Sequence, residues 1–344
     1  MSGTVTIGPA CGMVGKTLSV YPLVPPICGA QDYLPTSMTT GPDGALWFTT
    51  YMAGLIGRRT TSGTTTFFPA PIGASGTWGD GGIVTGPDGA LWFIADDGGA
   101  IGRMTTSGST TTFPVPSGSA TALTSGPDGA LWFTDVGAPT DNGDNAIGRI
   151  TTTGDITMFT DPKLGNANWA SNTHRFLWGI TDGPNGNLWF SMEYASNETK
   201  LTYIGTMTPS GAVTTYSIPF KADPTVLTTG PDGAIWFGND GEDVIGRVTT
   251  LGKFSEYTGP GEVGQVLSIT AGPDGALWFT NYTVPGDSGF EPIPPIGRIT
   301  TAGKITTYGS SIDEVGTVSI TAGSDGAMWF IDHLNDSIGR VSVP

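Results

Sequence analysis

The sequence contains few of the residues that mark several common protein classes. It has two cysteines, 14 Lys plus Arg, and no apolar run of the roughly 18 residues that a membrane-spanning helix needs. Its 30 acidic residues give a formal net charge of -16, which repels a polyanion such as nucleic acid. We therefore expect a monomer that binds neither nucleic acid nor a membrane.

The first residues, Met-Ser-Gly-Thr-Val-Thr, also lack the basic and apolar regions of a signal peptide. The scarcity of Lys beside abundant Thr, Ser and Gly is nevertheless typical of extracellular proteins. A soluble cytoplasmic protein and a secreted protein whose signal peptide was removed both remain open. Cys11 and Cys28 are either one disulfide or two free thiols.

What the chain has instead is a repeated turn followed by two large aromatic residues. Gly-Pro-Asp-Gly-Ala-Leu-Trp-Phe at 41–48 returns at 86–93 and 126–133, and related copies follow. The seven copies begin at Gly41, Gly86, Gly126, Gly183, Gly230, Gly272 and Gly323. Each is followed by Ile-Gly-Arg, or by Ile204-Gly205-Thr206 in the fourth copy, and then by a second Gly-containing turn. Pro and Gly at these offsets are typical of bulged hairpin turns.

Each repeat therefore predicts four short antiparallel strands, a to d, and no repeat has a helical period. Seven such meanders predict one all-β domain over 1–344, a seven-bladed β-propeller. The last repeat ends soon after its strand c, while Gly15–Tyr21 resembles a strand d. We predict that residues 15–22 complete the seventh blade and close the ring.

The glycine of Ile-Gly-Arg needs its own explanation. A missing side chain inside a strand permits the close approach of another group. We expect an aromatic ring of the adjacent blade to fill this space, with the following Arg stacked on that ring.

Functional residues are expected on the face that carries the variable b–c and d–a loops. Three Trp residues outside the repeat, Trp78, Trp169 and Trp178, lie there and offer flat surfaces to a ring or a sugar. Both histidines of the chain also lie there, and they are acid or base candidates. Acidic or amide residues recur where strand b ends. The histidines and strand-end residues are His174, His333, Asp96, Asp135, Glu193, Asp240, Asn281 and Asp332.

The blade sequence resembles that of the streptogramin B lyases, also called virginiamycin B lyases. Residues 272–280 and 296–303 carry the likeness most clearly, and it extends over 35–341. The resemblance implies a seven-bladed propeller that opens a cyclic depsipeptide at its ester by elimination, aided by Mg²⁺. It also implies a His five residues before the turn glycine in two successive blades. In this chain those positions hold Thr36, Gly81, Thr121, Trp178, Thr225, Leu267 and Val318.

No catalytic residue of the family can therefore be transferred to this chain, and three hypotheses remain. The first is a lyase-like enzyme in which His174 and Glu193 form a displaced acid–base pair beside Mg²⁺ or Ca²⁺ held by carboxylates. The second is a propeller without catalytic activity that binds a glycan or another small molecule through its loop Trp, Asp and Asn residues. The third is a scaffold for protein partners. No organic cofactor is expected.

Overall fold

The computed structural model describes residues 4–5, 18–23, 33–51, 54–70, 82–116, 119–137, 144–165, 173–196, 200–240, 243–259, 261–282, 293–309 and 316–344. These residues form 29 strands and one short 3-10 turn, Asp96–Gly98. The strands are arranged as seven antiparallel sheets, which are the seven blades of a β-propeller.

The first four blades contain the strands up to residue 217. Two N-terminal strands, β1 (Thr4–Val5) and β2 (Leu18–Pro22), precede them. Blade 1 contains β3 (Pro35–Thr40), β4 (Leu46–Thr50), β5 (Leu55–Arg59) and β6 (Thr65–Pro69). Blade 2 contains β7 (Ile83–Thr85), β8 (Leu91–Ala95), β9 (Ala100–Met104) and β10 (Thr110–Pro114). Blade 3 contains β11 (Ala120–Ser125), β12 (Leu131–Asp135), β13 (Ala146–Ile150) and β14 (Ile156–Thr160). Blade 4 contains β15 (Thr173–Asp182), β16 (Leu188–Ser196), β17 (Lys200–Met207) and β18 (Val213–Ser217).

The last three blades follow in the same order. Blade 5 contains β19 (Pro224–Thr229), β20 (Ile235–Asn239), β21 (Val244–Val248) and β22 (Phe254–Thr258). Blade 6 contains β23 (Ile269–Ala271), β24 (Ala276–Thr280), β25 (Ile296–Thr300) and β26 (Ile305–Tyr308). Blade 7 contains β27 (Thr317–Ala322), β28 (Met328–Asp332) and β29 (Ser337–Val341).

The ring is closed by the N-terminal strand, as predicted. Strand β2 pairs antiparallel with β29 and supplies the outermost strand of blade 7. The register places Leu18 opposite Val341 and Pro22 opposite Ser337. Strand β1 adds to the outer edge of blade 1 by pairing with β6. The ring closure therefore depends on hydrogen bonds between the two ends of the chain.

The repeated turn is held by one side chain, the Asp of Gly-Pro-Asp-Gly. In blade 3, Asp128 accepts hydrogen bonds from Trp132 Nε1 at 2.9 Å and, through its second oxygen, from Arg149 Nε at 2.6 Å. The same arrangement recurs in blades 1, 2, 5, 6 and 7. Blade 4 differs because Asn185 accepts from Trp189 Nε1 at 3.1 Å and Thr206 replaces the Arg. The motif therefore joins the turn, strand b and strand c within each blade.

The glycine of Ile-Gly-Arg makes room for a ring of its own blade, so the prediction of a neighbouring blade was wrong. A Cβ on Gly57 would lie 2.0 Å from Cζ of Phe48, the residue directly opposite it across β4 and β5. Direct cross-strand pairing brings these side chains together, because opposite residues project on the same face. The following Arg58 lies over Trp47, at 5.9 Å from the ring centroid, and not over the Phe.

The core consists of seven clusters of buried residues, most of which join two neighbouring blades. Trp47 of blade 1 packs with Ile83 and Phe93 of blade 2, whereas Phe48 packs with residues of blade 7. Successive side chains of strand b thus face opposite neighbours, as the period of a strand requires. This explains why Leu-Trp-Phe is apolar without interruption, since both faces of the blade are covered.

Candidate functional site

The start of strand a carries a β-bulge on the variable face of several blades. Register shifts occur between Pro35 and Met38, Ala120 and Ala122, Leu177 and Ile180, Pro224 and Val226, and Thr317 and Ser319. The bulged residues include the position five before the turn glycine. Bulges re-aim side chains and recur beside binding sites.

Trp178 differs from every described residue at this repeat position. Thr36 and Val318 are buried, and Thr121, Thr225 and Leu267 are half-buried. The hydroxyl group of Thr36 pairs with that of Thr49 at 2.9 Å, and the hydroxyl group of Thr121 pairs with that of Thr134 at 2.8 Å and donates to the carbonyl oxygen of Leu177 in blade 4 at 3.2 Å. The Trp178 side chain is 37% exposed. The bulge in blade 4 therefore presents a large aromatic surface that the other described blades do not present there.

The described strands of blade 4 also extend farther on this face than the described strands of the other blades. Its strands β15, β16 and β17 contain 10, 9 and 8 residues, whereas the remaining described strands contain at most 6. The extra residues pair with one another, with His174 opposite Ala195 and Ala195 opposite Lys200. Because residues 188–196 contain neither Gly nor Pro, nothing interrupts the strand.

Aromatic and charged side chains converge where the blade 4 extension meets blade 5. The rings of Phe176 and Trp178 are 5.7 Å apart, and Phe176 lies directly opposite Glu193. Lys200 Nζ lies 3.4 Å from Glu193 Oε1 and 2.6 Å from Asp223 Oδ2, a residue of the loop before β19. These five residues are hereafter called the rim site.

The Lys200 ammonium is held by two carboxylates from different blades. Burial pushes the pKa of Lys200 down, but the hydrogen bond and charge of Asp223, together with the charge of Glu193, outweigh burial and raise the pKa. Lys200 is therefore charged at neutral pH. Asp223 is itself fixed, because its N–H donates to Asn239 Oδ1 and its carbonyl accepts from the N–H of Asp240.

A cavity of about 180 Å³ lies on the propeller axis, lined by strand a of all seven blades. Its lining combines apolar side chains such as Met38, Leu123 and Ile320 with threonines such as Thr39, Thr228 and Thr321. This volume suits roughly six waters at about 30 Å³ each and is too small for a drug-sized molecule.

The strand-end residues of blades 6 and 7 that were predicted to bind a ligand make contacts with the backbone. Asn281 Oδ1 accepts from the N–H of Gly264 at 3.1 Å, and Asp332 Oδ1 accepts from the N–H of Gly316 at 3.1 Å. Both side chains are buried, and they join the incoming d–a loop to the end of strand b. Burial raises the pKa of Asp332, and hydrogen bonds from Asn335, Gly316 and Ser337 oppose that rise. Asp135 in blade 3 is fully buried as well.

The remaining predicted residues are scattered. His333 is buried, with Nδ1 3.0 Å from the carbonyl oxygen of Pro35 in blade 1. Asp240 accepts a hydrogen bond from the side chain of Gln265. Trp78 and Trp169 lie outside the described residues, as do the side chain of His174 and both cysteines. Of the predicted residues, the rim site contains Trp178 and Glu193.

Sequence reasoning missed three residues of the rim site, Phe176, Lys200 and Asp223. Two signals indicated the longer strands of blade 4, and the first of them includes Phe176. The alternation of Phe176 and Trp178 continues strand a beyond its usual start, and residues 188–196 continue strand b beyond its usual end. The ion pair with Asp223 had no signal, because it joins loops of two blades.

The described carboxylates do not fit the divalent cation that the family resemblance implies. In the part of the chain that the structure describes, no group of three or more His, Cys, Asp or Glu residues could hold a metal ion. At the rim site, where Glu193 and Asp223 approach one another, the position between them is taken by an ammonium group. Ca²⁺ and Mg²⁺ need several oxygen ligands around one point.

Comparison with known proteins agrees with this fold. A sequence model of the Virginiamycin B lyase family matches residues 13–168 and again 169–344. A structure described as a streptogramin B lyase is 30% identical, with a TM-score of 0.75, over 95% of this chain and 97% of the other. Virginiamycin B lyase from Staphylococcus aureus is 28% identical, with a TM-score of 0.75, over 95% of this chain and 99% of the other.

A further solved structure holds a ligand. A catalytically inactive virginiamycin B lyase from Staphylococcus aureus, with quinupristin, is 29% identical, with a TM-score of 0.71, over 95% of this chain and 99% of the other. No curated protein sequence matches the chain. Among the described residues, no helix has the length and apolar character required to cross a bilayer.

Proposed function

Because the chain belongs to the virginiamycin B lyase family, we propose that it binds a cyclic depsipeptide or a related ring-shaped small molecule at the rim site. Trp178 carries this proposal. It is the exposed aromatic at a bulge whose equivalents in the other described blades are smaller and more buried. An indole face beside Phe176 suits a flat or ring-shaped apolar group.

The extension of blade 4 supports this location. Residues 188–196 and 200–207 are the two strands that follow the strand of Trp178 in the sheet, and they carry the charged groups of Glu193 and Lys200. A ligand on Trp178 would thus meet an apolar surface and polar groups together, the usual composition of small-molecule sites.

Binding is tested with quinupristin and a panel of simple glycans, by thermal unfolding and by Trp fluorescence of the whole chain. A ligand of the native state raises stability by mass action. We expect quinupristin to raise the Tm of the unmodified protein and of the control Leu251→Ala, whose side chain is 90% exposed in a turn on the opposite face. Trp178→Ala should lose the shift. An equal shift in Trp178→Ala would refute this location, and a shift with glycans alone would favour the non-catalytic alternative.

Glu193 and Lys200 favour elimination as a second candidate function. Loss of a proton α to a carbonyl needs a base and a cation near the developing oxygen charge. The Glu193 carboxylate would take the proton, the C–H electron pair would form a C=C bond, and the ester C–O bond would break with its electrons on the departing carboxylate. Lys200, 3.4 Å from Glu193, would stabilise the enolate-like oxygen.

Mass spectrometry of quinupristin after incubation separates the outcomes. Elimination opens the ring without change of mass, whereas hydrolysis adds one water. We expect a product of unchanged mass and shifted retention with the unmodified protein and none with Glu193→Gln. Unreacted quinupristin at concentrations that shift the Tm would show a binding protein without this activity.

A further inference from the structure

Lys200 is a fixed positive charge between two carboxylates of different blades. We propose that its ammonium group is the resident cation of the rim site, at the place where Glu193 and Asp223 would otherwise bind a divalent ion. Its remaining N–H then donates to an oxygen of the bound ligand. The statement about the ligand rests on the proposed function, whereas the statement about the divalent ion does not.

The geometry of the three side chains supports the proposal that the Lys200 ammonium is the resident cation of the rim site. Lys200 starts β17, Glu193 lies in β16, and Asp223 precedes β19 of the next blade. Nζ to oxygen distances of 2.6 Å and 3.4 Å place the ammonium between the carboxylates. Glu193 is held by a strand paired on both sides, and Asp223 is held by Asn239. The backbones of the two acids are therefore fixed independently of the lysine.

Removal of the ammonium would take away the cation that both carboxylates contact. Like charges at short range disfavour the ionised state of both groups, and a cation relieves that repulsion. Carboxylate oxygens are the ligands that Ca²⁺ and its lanthanide analogues prefer. The same pair should hence acquire affinity for such ions when Lys200 becomes neutral.

The geometry of an ammonium group supports the proposed hydrogen bond from Lys200 to the ligand. Lysine has three N–H donors, and the two carboxylates use two of them. The Lys200 side chain is 50% exposed, so the third N–H points to solvent or ligand. Since Glu193 lies opposite Phe176, which contacts Trp178, a molecule on the aromatic pair is close to this donor. A donor held in advance by two charged partners loses little entropy on binding.

The first test uses the full chain and Tb³⁺ luminescence, sensitised by nearby Trp residues and displaced by Ca²⁺. We expect Lys200→Met to bind Tb³⁺ at least about tenfold more tightly than the unmodified protein. Lys200→Arg keeps the charge and should not gain affinity. Lys253→Met, which removes one charge from a turn on the opposite face, is the matched control, and Lys200→Met with Glu193→Gln should lose the gain.

Equal Tb³⁺ affinity of Lys200→Met and Lys253→Met, with both variants folded by circular dichroism, would overturn the proposal that the ammonium is the resident cation. So would tight Ca²⁺ binding to the unmodified protein that Glu193→Gln abolishes, because lysine and metal ion would then not compete for one place. A gain restricted to Lys200→Met establishes the carboxylate pair as the binding place.

The second test measures quinupristin affinity with and without EDTA. We expect binding to the unmodified protein to be insensitive to EDTA, and Lys200→Met to weaken it about tenfold or more, as loss of one charge-assisted hydrogen bond implies. Unchanged affinity in Lys200→Met, together with lost affinity in Trp178→Ala, would overturn the ligand contact and leave the proposed function standing. Absence of quinupristin binding to the unmodified protein would refute the proposed function, and the Tb³⁺ result would stand by itself.

Discussion

Replacement of Asp128 should separate the two contacts of the repeated turn. Its Oδ1 accepts from Trp132 Nε1 at 2.9 Å, and its Oδ2 from Arg149 Nε at 2.6 Å. Trp132 is fully buried, so its N–H loses the acceptor that it has inside the protein if the Asp128 carboxylate is removed. Asn185 performs the first contact in blade 4 without the second, which makes Asn a natural probe.

The magnitudes follow from burial. A buried donor left without an acceptor costs about 1–3 kcal/mol, and loss of the 3.3 Å bond to the Ala130 N–H adds about 1 kcal/mol. The ion pair lies near the surface and contributes roughly 0–1 kcal/mol. We therefore expect Asp128→Ala to lower the free energy of unfolding by about 2–4 kcal/mol. Asp128→Asn and Arg149→Met should each lower it by less than about 1 kcal/mol.

Urea unfolding at pH 7, followed by circular dichroism and Trp fluorescence, measures these differences. The decisive result is how the loss of unfolding free energy in Asp128→Ala compares with the loss in Asp128→Asn. If Asp128→Asn and Asp128→Ala were equally destabilised, the ion pair would be the main contribution, and the reasoning from the buried indole would be refuted.

Three further predictions concern stability. In blades 1, 2, 3, 5, 6 and 7, burial raises the pKa of the turn Asp, but bonds from the Trp and Arg outweigh it and hold the pKa below its usual value. These carboxylates stabilise the fold at pH values above the unfolded pKa of about 4, and this stabilisation is lost as the pH falls through their pKa values in the folded protein. Urea midpoints that stay constant between pH 5 and pH 3 would contradict this prediction. Deletion of residues 1–22 removes the strand opposite β29 and should abolish cooperative thermal unfolding, whereas deletion of 1–15 keeps β2 and serves as control. Gly102→Ala places a Cβ 2.3 Å from the Phe93 ring and should lower the free energy of unfolding, measured with urea, by about 3 kcal/mol. Phe93→Leu in the same chain should recover part of this loss. If the effects of the two substitutions were additive in the double variant, the steric explanation would be excluded.

Much of the rim site could not be predicted from the sequence. Trp178 stood out because it is a Trp at a repeat position that otherwise holds smaller residues, and Glu193 because the repeat predicts that strand b ends there. Lys200 and Asp223 had no such signal, since their contact joins two blades. Asn281 and Asp332 were interpreted as ligand-binding groups, yet a polar side chain at a strand end has the same pattern whether it faces solvent or accepts from a backbone N–H.

The sequence by itself determined the all-β class, the number of blades and the closing strand, predicted at residues 15–22 and found at Leu18–Pro22, because turn chemistry and strand period act over a few residues. Tertiary structure decided which surfaces meet. It placed Phe48 on Gly57 of its own blade and Trp47 against the next blade, and it extended blade 4. It also brought Lys200 between Glu193 and Asp223. The contacts between blades depend on the angle and distance between sheets, which arise only when all seven blades pack around one axis.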